Sequence, residues 1–342
     1  MSRQTQRRVL LLAHPSRPDM AEFIRDVAER LAAAGVSPRL PASDAAELQQ
    51  QRQGQGEAQR QRQGHGLGPV HIVDDAGAGD GCELVLVLGG DGTILRGAEA
   101  ARGTDTPLLG INLGKVGFLA EAERADLPRT IEAIVARDYQ VEERMTLDVT
   151  VSHGGRVDAR TWALNEVSIE KAARERMLEV AVEVDGRPLS TWACDGVIVA
   201  TPTGSTAYAF SAGGPVVWPD VEAILLVPNS AHALFARPVV VGPGSHLAVE
   251  VIRDAEGAGV VWCDGRRQFH LTPGARIDVC RSPRPMRLAR LTDSPFTDRL
   301  VTKFDLQVAG WRGNDSTARS PSGQAGAAKG GWGNGPTPAP HP

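Results

Sequence analysis

The feature that most constrains the fold is an apolar run that ends in a glycine-rich turn and continues into a helical pattern. Glu83–Leu88 reads ELVLVL, a short apolar run of the kind that forms a buried strand. Gly89–Thr93 reads GGDGT, and its glycines allow the backbone to turn sharply there. Ile94–Arg102 then follows a helical pattern. A strand, a tight turn and a helix in this order are typical of an α/β fold with a parallel sheet.

The neighbouring sequence repeats this alternation of apolar runs and helical patterns. Val9–His14 predicts a buried strand, and Ala21–Ala34 predicts a helix because its apolar residues recur at helical spacing. Thr106–Asn112 predicts another strand, and Leu127–Tyr139 predicts another helix. We therefore expect residues 1–140 to form an α/β domain with a mostly parallel sheet.

The pattern changes near residue 140, where short alternating runs replace the helical spacing. Turn signals such as Asp185-Gly186 and Asp264-Gly265 separate these runs. This predicts an all-β, β-sandwich-like second domain over residues 141–290. We expect residues 291–309 to return and pack on the first domain.

Two segments lack the composition of a packed domain. Residues 49–68 consist largely of Gln, Arg and Gly, and residues 310–342 consist largely of Gly, Pro, Ser and Ala. Neither segment has enough apolar surface to offset the entropy lost on ordering. We predict a disordered insertion and a disordered tail around two domains, which is the number expected for 342 residues.

Composition and charge exclude several classes of protein. The formal net charge of −4 provides no basic field for nucleic acid. No apolar stretch approaches the length of a membrane span, and Val9–Ala13 is too short for the core of a signal peptide. Four cysteines in a chain of this length form neither a disulfide framework nor a zinc motif. We therefore expect reduced cysteines and a cytoplasmic location.

The turn Gly89–Thr93 is the strongest candidate for chemistry. The exposed N–H groups at the start of the following helix favour an anion such as phosphate. Asp91 stands where a substrate hydroxyl could transfer its proton to a carboxylate. The alternative is an ordinary tight turn in which Asp91 only caps the helix. The turn matches neither a Walker A loop nor a dinucleotide-binding fingerprint.

Three further segments could bind a polar ligand, although each also has a simpler interpretation. Gly110–Leu119 could be a second close-approach loop, with Lys115 facing phosphate, or a plain connector. The Asn165-Glu166 pair could grip a ribose diol or an adenine edge, or lie on a solvated strand edge. Asp195–Gly214 contains hydroxyl groups and Tyr208, which could stack on a base, but its Pro-Thr-Gly-Ser sequence alone indicates only a turn.

Together and in this order, the four segments resemble the NAD kinase family. The family's marks are a Gly-Gly-Asp-Gly-Thr turn, a Gly-x-x-Gly-Phe-Leu loop, an Asn-Glu pair and an Asp-Gly…Thr-Pro-x-Gly-Ser-Thr-Ala-Tyr segment ending in Gly-Gly-Pro. The likeness covers about Val9 to Leu306, without the Gln-rich insertion and the tail. The resemblance implies an N-terminal α/β domain, a C-terminal β-rich domain and a site between them.

The resemblance also implies a reaction and its residues. The expected reaction phosphorylates the 2′-hydroxyl of the adenosine ribose of NAD to give NADP, with Asp91 as the proton acceptor. The turn residues Gly89, Gly90, Gly92 and Thr93 would hold the donor phosphate. Arg96 and Arg176 match basic positions that the family uses less uniformly to bind NAD. The remaining NAD contacts implied are Asp91, Gly92, Asn165, Glu166, Asp195, Thr206, Ala207, Tyr208, Ala209, Phe210 and Ser211.

The expected ligands and partners follow from the same resemblance. NAD and a phosphoryl donor, ATP or inorganic polyphosphate, are the substrates, and the sequence leaves the choice of donor open. We expect a divalent ion, Mg²⁺, to arrive with the donor rather than to be held by the protein alone. Similar enzymes are homo-oligomers, so we expect a dimer or tetramer whose sites can borrow residues from a neighbouring subunit.

Two alternative functions share the glycine-rich turn. One is a lipid kinase or a relative of phosphofructokinase, and the Asn-Glu pair argues against it. The other is a catalytically silent NAD-binding sensor, and the intact Asp91 argues against that. His232 is left out of the site because a lone histidine is more often structural. We expect the four tryptophans in or beside predicted strands to lie in the core or at a subunit interface, namely Trp162, Trp192, Trp218 and Trp262.

Overall fold

Three sheets organise the part of the chain that the computed structural model describes. The described residues are 6–14, 17, 19–53, 66–114, 117–173, 176–253, 257–292 and 294–308. Residues up to Asp305 belong to one compact unit, and Leu306 begins another. Lys115, the greater part of the predicted insertion and the whole predicted tail lie outside the described residues.

The first sheet has eight strands and is parallel except at one edge. Its strands are β1 (Arg8–Ala13), β2 (Ser37–Pro41), β3 (His71–Val73), β4 (Leu84–Leu88), β5 (Leu108–Asn112), β6 (Ala122–Glu123), β7 (Gln140–Arg144) and β20 (Met286–Arg290). The spatial order is β3-β2-β1-β4-β5-β20-β7, and β6 lies beside β5. Only the pairing of β20 with β7 is antiparallel among those described. Strands β4 and β5 are buried along their whole length, which explains their continuous apolar sequence.

Helices cover both faces of this sheet. The described residues form helices α1 (Met20–Ala33), α2 (Ala42–Gln53), α3 (Asp91–Ala101), α4 (Leu127–Ala136), α5 (Tyr208–Ser211) and α6 (Phe296–Phe304). Helix α5 packs on a different sheet, where Ala209 lies in a core with Ile198 and Leu225. On one face, Ile24 and Val27 of α1 pack in a core that includes Leu86. On the other face, Ile94 of α3 packs in a core that includes Val87. Within the described residues, no helix combines the length and the apolar character needed to cross a membrane.

The other two sheets are antiparallel, with six strands each. One contains β10 (Glu166–Lys171), β13 (Gly196–Ala200), β14 (Ile224–Asn229), β15 (Val239–Val241), β17 (Gly259–Cys263) and β18 (Arg267–Leu271). The other contains β8 (Leu147–His153), β9 (Arg156–Ala163), β11 (Leu178–Val184), β12 (Arg187–Cys194), β16 (Leu247–Val251) and β19 (Ala275–Arg281). Val167 and Val261 of the first pack with Val149 and Ile277 of the second in one core, as in a sandwich. The predicted fold class, α/β followed by all-β, is thereby confirmed.

The edges of the predicted segments differ from the structure in three places. Strands β7 and β20 join the first sheet, so the β-rich part contains neither Gln140–Arg144 nor Met286–Arg290. Residues 49–53 continue helix α2 instead of opening the predicted insertion. Gln and Arg are good helix formers, and buried Leu48 anchors the helix just before them. The division of the chain into domains otherwise stays a prediction.

Candidate active site

The glycine-rich turn joins strand β4 to helix α3 at the carboxyl end of the strand. Helix α3 begins at Asp91, and Gly90 precedes it with an extended backbone. The carbonyl oxygen of Gly90 accepts hydrogen bonds from the N–H groups of Thr93 at 2.9 Å and Ile94 at 3.1 Å. The first N–H groups of a helix lack partners within it, and the helix dipole favours an anion at that end. The turn therefore has the backbone geometry that suits a phosphate group.

The glycines of this turn have two different roles. A β-carbon on Gly89 would lie 2.5 Å from Oγ1 of buried Thr93, so the turn closes against the threonine only with glycine there. A β-carbon on Gly90 or Gly92 would meet nothing within 4 Å. Both of these residues are exposed. A ligand can therefore approach the backbone of the turn from solvent.

The carboxylate of Asp91 is held by the loop that follows strand β5. Its two oxygens accept hydrogen bonds from the backbone N–H groups of Phe118 and Leu119, each at 3.2 Å. Gly117 makes room for this contact, since a β-carbon there would overlap with Asp91 Oδ1. The Asp91 side chain remains partly exposed. One orientation of the carboxylate is thus favoured, as proton transfer from a bound hydroxyl requires.

Helix α6 supports the same loop from the far end of the chain. Arg299 donates to the carbonyl oxygens of Phe118 at 3.1 Å and Ala120 at 3.0 Å. Arg299 and Arg290 also form ion pairs with the buried carboxylate of Glu121. Burial raises the pKa of Glu121, but the two arginines outweigh burial, so this pKa is lowered overall. These contacts could not be predicted from the sequence because Arg299 and Phe118 are 181 positions apart.

Arg96 forms side-chain hydrogen bonds with residues of helix α2 and strand β1. Its guanidinium donates to both carboxylate oxygens of Asp44, at 2.8 and 2.7 Å, and to the carbonyl oxygen of Ala13. Asp44 is buried and also accepts from the N–H of Ala13. Arg96 thus ties helix α3 to strand β1 and helix α2. Its contact with NAD stays a prediction, and such a contact would have to accommodate these bonds.

Asn165 immediately precedes strand β10, Glu166 is the first residue of that strand, and both are buried. Asn165 is 7% exposed and Glu166 is 8% exposed. Oδ1 of Asn165 and Oε2 of Glu166 have no hydrogen-bond partner. Buried polar atoms are normally paired, so each unpaired oxygen marks a place where a ligand's donor could bind. The alternative of a solvated strand edge does not fit this burial.

Burial changes the proton affinity of Glu166. Desolvation is the main cause, and together with the nearby carboxylate of Asp264 it raises the pKa of Glu166 to about 8. A hydrogen bond from the backbone of Tyr208 acts in the opposite direction but is the smaller influence. Near neutral pH the side chain is therefore mostly a neutral carboxylic acid, which can donate one hydrogen bond as well as accept others.

Glu166→Gln is expected to change how stability depends on pH. Above pH 4.5 the unfolded chain loses this proton, whereas the folded chain keeps it until about pH 8. The wild type therefore loses stability relative to the variant as the pH rises through this window, by on the order of 5 kcal/mol in total. Urea unfolding of both proteins at about pH 5.5, 7 and 8.5 measures the difference. If the stability difference between variant and wild type does not grow with pH, the raised pKa of Glu166 is wrong. The control is Glu179→Gln, because Glu179 is exposed.

The predicted run from Thr206 to Ser211 packs beside the Asn-Glu pair. It spans the end of the 3₁₀ turn Thr203–Thr206 and helix α5. A β-carbon on Gly204 would overlap with the backbone oxygen of Asn165, so glycine permits this close approach. Ala209 is buried, and Phe210 is partly exposed against the ring of Phe304, 4.6 Å away between centroids.

Tyr208 and Asp195 lie near each other, since the charge of Asp195 acts on the Tyr208 hydroxyl. The hydroxyl of Tyr208 accepts a hydrogen bond from Asn229 Nδ2 at 3.3 Å. Burial is the main cause of its raised pKa, and the charges of Asp195 and Glu166 contribute. Asp195 pairs with Lys171 at 2.5 Å, and this ion pair lowers the Asp195 pKa. The charges of Asp195 and Glu166 thus act on Tyr208, and the backbone of Tyr208 also hydrogen-bonds to Glu166.

A cavity lies between the Phe118–Leu119 loop, which binds the Asp91 carboxylate, and the Thr203–Thr206 turn. It has a volume of about 590 Å³ and is lined by Phe118 and Leu119 from the loop, Thr203 and Thr206 from the turn, and Trp218 and Phe296 opposite them. Residues of the second and fourth predicted segments thus share this cavity. The first segment joins them through the hydrogen bonds of Asp91 to Phe118 and Leu119, and the third joins through the contact of Asn165 with Gly204. Arg176 is exposed beyond the end of β10, and its predicted role with NAD stays a prediction.

Comparison with solved structures finds an NADH kinase and an NAD kinase with the same fold. Yeast NADH kinase, solved with NADH, superposes with a TM-score of 0.77 at 22% identity, covering 91% of each chain. An NAD kinase from Archaeoglobus fulgidus, solved with ATP, superposes with a TM-score of 0.61 at 26% identity, covering 87% of this chain and 98% of that one.

Curated relatives are much closer in sequence. NAD kinase of Thermobifida fusca is 56% identical over 314 residues, which cover 90% of this chain and 92% of the relative. NAD kinase 2 of Streptomyces coelicolor is 52% identical over 315 residues, covering 92% and 99%. NAD kinase of Mycobacterium tuberculosis is 52% identical over 308 residues, covering 90% and 98%.

The family comparison divides the chain in the same way as the motifs. Residues 9–139 match the ATP-NAD kinase N-terminal domain, and residues 164–291 match the ATP-NAD kinase C-terminal domain. Each matched part contains two of the four motifs, and the two matches together span most of the chain. With relatives more than 50% identical over nearly its whole length, the chain belongs to the NAD kinase family.

Proposed function

We propose that the protein phosphorylates NAD on the 2′-hydroxyl of its adenosine ribose and so produces NADP. The observation that carries this proposal is the Asp91 carboxylate, fixed by two backbone N–H groups at the exposed start of helix α3. A carboxylate beside a phosphate-binding turn is the arrangement that phosphoryl transfer to an alcohol needs. Membership of the NAD kinase family supports NAD as the alcohol.

In the proposed reaction, the ribose 2′-oxygen attacks the terminal phosphorus of the donor while Asp91 accepts the hydroxyl proton. The new bond is O–P, the broken bond joins the terminal phosphorus to its bridging oxygen, and the shortened donor leaves with that oxygen. The N–H groups of Gly90 and Gly92 would face the donor phosphate. Positioning and charge stabilisation would supply most of the rate gain, as in other phosphoryl transfers.

The donor is proposed to enter as a complex with Mg²⁺. Mg²⁺ keeps several waters and is usually held by one or two carboxylates together with substrate phosphates. The donor phosphates and waters would supply the oxygens around the ion, so no site built from protein groups alone is required. Parallel assays with ATP and with inorganic polyphosphate identify the donor, and the Archaeoglobus fulgidus relative solved with ATP favours the nucleotide.

The remaining predicted residues are proposed to hold NAD. The unpaired oxygens of Asn165 and Glu166 would meet ribose hydroxyls or the adenine amino group. Tyr208 offers a ring and Asp195 a carboxylate on the same side. The other proposed contacts are Gly92, Arg96, Arg176, Thr206, Ala207, Ala209, Phe210 and Ser211.

Asn165→Ala is expected to raise the NAD concentration needed for half-maximal rate by about tenfold, because it removes a hydrogen-bonding group from the binding pocket. Turnover at saturating NAD should change far less, since the group acts on binding. Asn165→Gln keeps the amide group on a longer side chain and should have a smaller effect. Calorimetric titration with NAD measures both variants, and an unchanged affinity in Asn165→Ala would remove the residue from the NAD site.

We also propose a homo-oligomer, a dimer or tetramer, located in the cytoplasm. Strand β15 is an edge strand, and Val240 on it and the preceding residues Leu234 and Phe235 are exposed. Exposed apolar residues at a sheet edge are typical of an interface between subunits. All four cysteines of the chain are free thiols, as expected in a reducing compartment. Sedimentation velocity of the purified protein tests the assembly.

A further inference from the structure

The carboxylate of Asp264 accepts hydrogen bonds from the backbone of the segment where strand β9 is followed by strand β10. Asp264 stands in the Asp-Gly turn between β17 and β18, with φ +55°. Its oxygens accept hydrogen bonds from the N–H groups of Leu164 at 3.0 Å, Asn165 at 2.7 Å and Glu166 at 3.4 Å. The side chain is 2% exposed. One buried carboxylate therefore gathers three consecutive N–H groups of the Asn-Glu segment.

Further hydrogen bonds hold the backbone around Asn165 in place. The N–H of Asp264 donates to the carbonyl oxygen of Glu166 at 2.9 Å. On the other side, the hydroxyl of Thr201 donates to the carbonyl oxygen of Leu164 at 2.6 Å. The peptide groups around Asn165 are thus fixed from two directions, and the side chains of Asn165 and Glu166 have little freedom to change direction.

Arg267 neutralises the buried carboxylate and is itself held in place. Its Nη2 donates to Asp264 Oδ2 at 2.7 Å. Its guanidinium lies over the ring of Trp162 at 4.5 Å, and Arg102 lies over the same ring at 4.4 Å. Glu99 of helix α3 also pairs with Arg267, at 3.2 Å. A buried carboxylate is costly without such a partner, so Arg267 makes the Asp264 contacts possible.

We propose that Asp264, supported by Arg267, is a positioning residue that fixes Asn165 and Glu166 in the conformation that binds NAD. The inference rests on the proposed NAD-binding role of Asn165 and Glu166. Asp264 is buried behind the backbone and acts on the ligand only through these two residues. A ligand that binds to a preformed site does not have to order it, which improves affinity.

The expected result is a loss of NAD affinity with little loss of turnover. Asp264→Asn keeps the size of the side chain, and Asn tolerates positive φ, but the amide has one acceptor oxygen instead of two. Hydrogen bonds to a charged group are worth more than neutral ones, so the Kd and KM for NAD should rise about tenfold or more. Turnover at saturating NAD should stay within about threefold, because Asp264 touches neither reacting group.

Asp185→Asn provides a matched control. Asp185 also precedes a glycine in a hairpin turn, with φ +53°, between β11 and β12. Its carboxylate likewise accepts a backbone N–H, from His246 at 2.8 Å, but it touches none of the proposed site residues. The same substitution there should leave the Kd and KM for NAD within about twofold.

Calorimetric titration with NAD and steady-state kinetics on the full chain test the inference. If the wild type binds NAD and Asp264→Asn binds it within about twofold, the positioning role is wrong while the proposed function stands. If the wild type does not bind NAD, both are wrong. Should Asp264→Asn fail to fold, Arg267→Lys keeps the charge but loses the planar fork, and it should raise the Kd about threefold or more. An unchanged Kd in that folded variant would overturn the inference.

Discussion

Asp91→Asn is expected to lower turnover by roughly 10²–10⁴, the size of a general-base contribution. The amide is close in size to the carboxylate and can still accept a hydrogen bond from the loop at Phe118 and Leu119, so the site should keep its shape. It cannot accept the proton of the ribose hydroxyl at neutral pH. NAD binding should stay within several-fold of the wild type, because the lost group acts mainly in the transition state.

The matched control for this substitution is Asp298→Asn. Asp298 also lies in the first turn of a helix, α6, so the substitution tests the general effect of removing a carboxylate from that position. Initial rates of NADP formation at saturating NAD compare the two variants. Near-normal turnover in a folded Asp91→Asn protein would exclude Asp91 as the proton acceptor.

Gly117→Ala is expected to lower turnover by about 10², although alanine adds only one methyl group. That β-carbon would overlap with Asp91 Oδ1, so either the carboxylate or the Phe118–Leu119 loop must move. A displacement of about 1 Å in a positioned catalytic group can cost this much in rate. The folded protein should lose little stability if the partly exposed carboxylate turns toward solvent.

Gly114→Ala tests whether the effect depends on Asp91 rather than on the loop in general. A β-carbon on Gly114 would have only an ordinary contact, 3.6 Å from Arg17. Turnover of this variant should therefore stay within about threefold of the wild type. Equal losses in Gly114→Ala and Gly117→Ala would show that the loop tolerates no substitution and would contradict the steric account.

Local interactions explain why the turn and the strands could be predicted from the sequence. An apolar run before GGDGT predicts β4, the turn and α3 from the physics of a few adjacent residues, and the structure has all three in place. The change to alternating runs near residue 140 likewise predicts the antiparallel sheets. The four motifs resemble those of the NAD kinase family, and the match to the family's two domains confirms this assignment.

Contacts between distant positions could not be read from the sequence. The sequence near Asp264 predicts only an Asp-Gly turn. It does not indicate that the carboxylate binds the backbone of Asn165, which is 99 positions away. Arg299 and Glu121 are separated by 178 positions in the same way. Such contacts depend on which strands become neighbours, and hydrophobic periodicity does not specify that.

The tryptophans show a similar limit. Trp192 is fully buried, as expected for a core residue, whereas Trp218 is 45% exposed and lines the cavity near Phe118. Trp162 packs against an apolar core as expected, but the guanidinium groups of Arg102 and Arg267 also lie over its ring. Strand position alone does not distinguish these environments, because the neighbours of each ring come from other elements.

The proposed kinase activity is tested by measuring NADP formation by the purified protein. NAD and Mg²⁺ are supplied with ATP or with polyphosphate, and the product is detected with a dehydrogenase that accepts only NADP. We predict NADP from the wild type with at least one donor and little from Asp91→Asn. A wild-type protein that binds NAD in calorimetry but forms no NADP with either donor would contradict the proposed kinase activity.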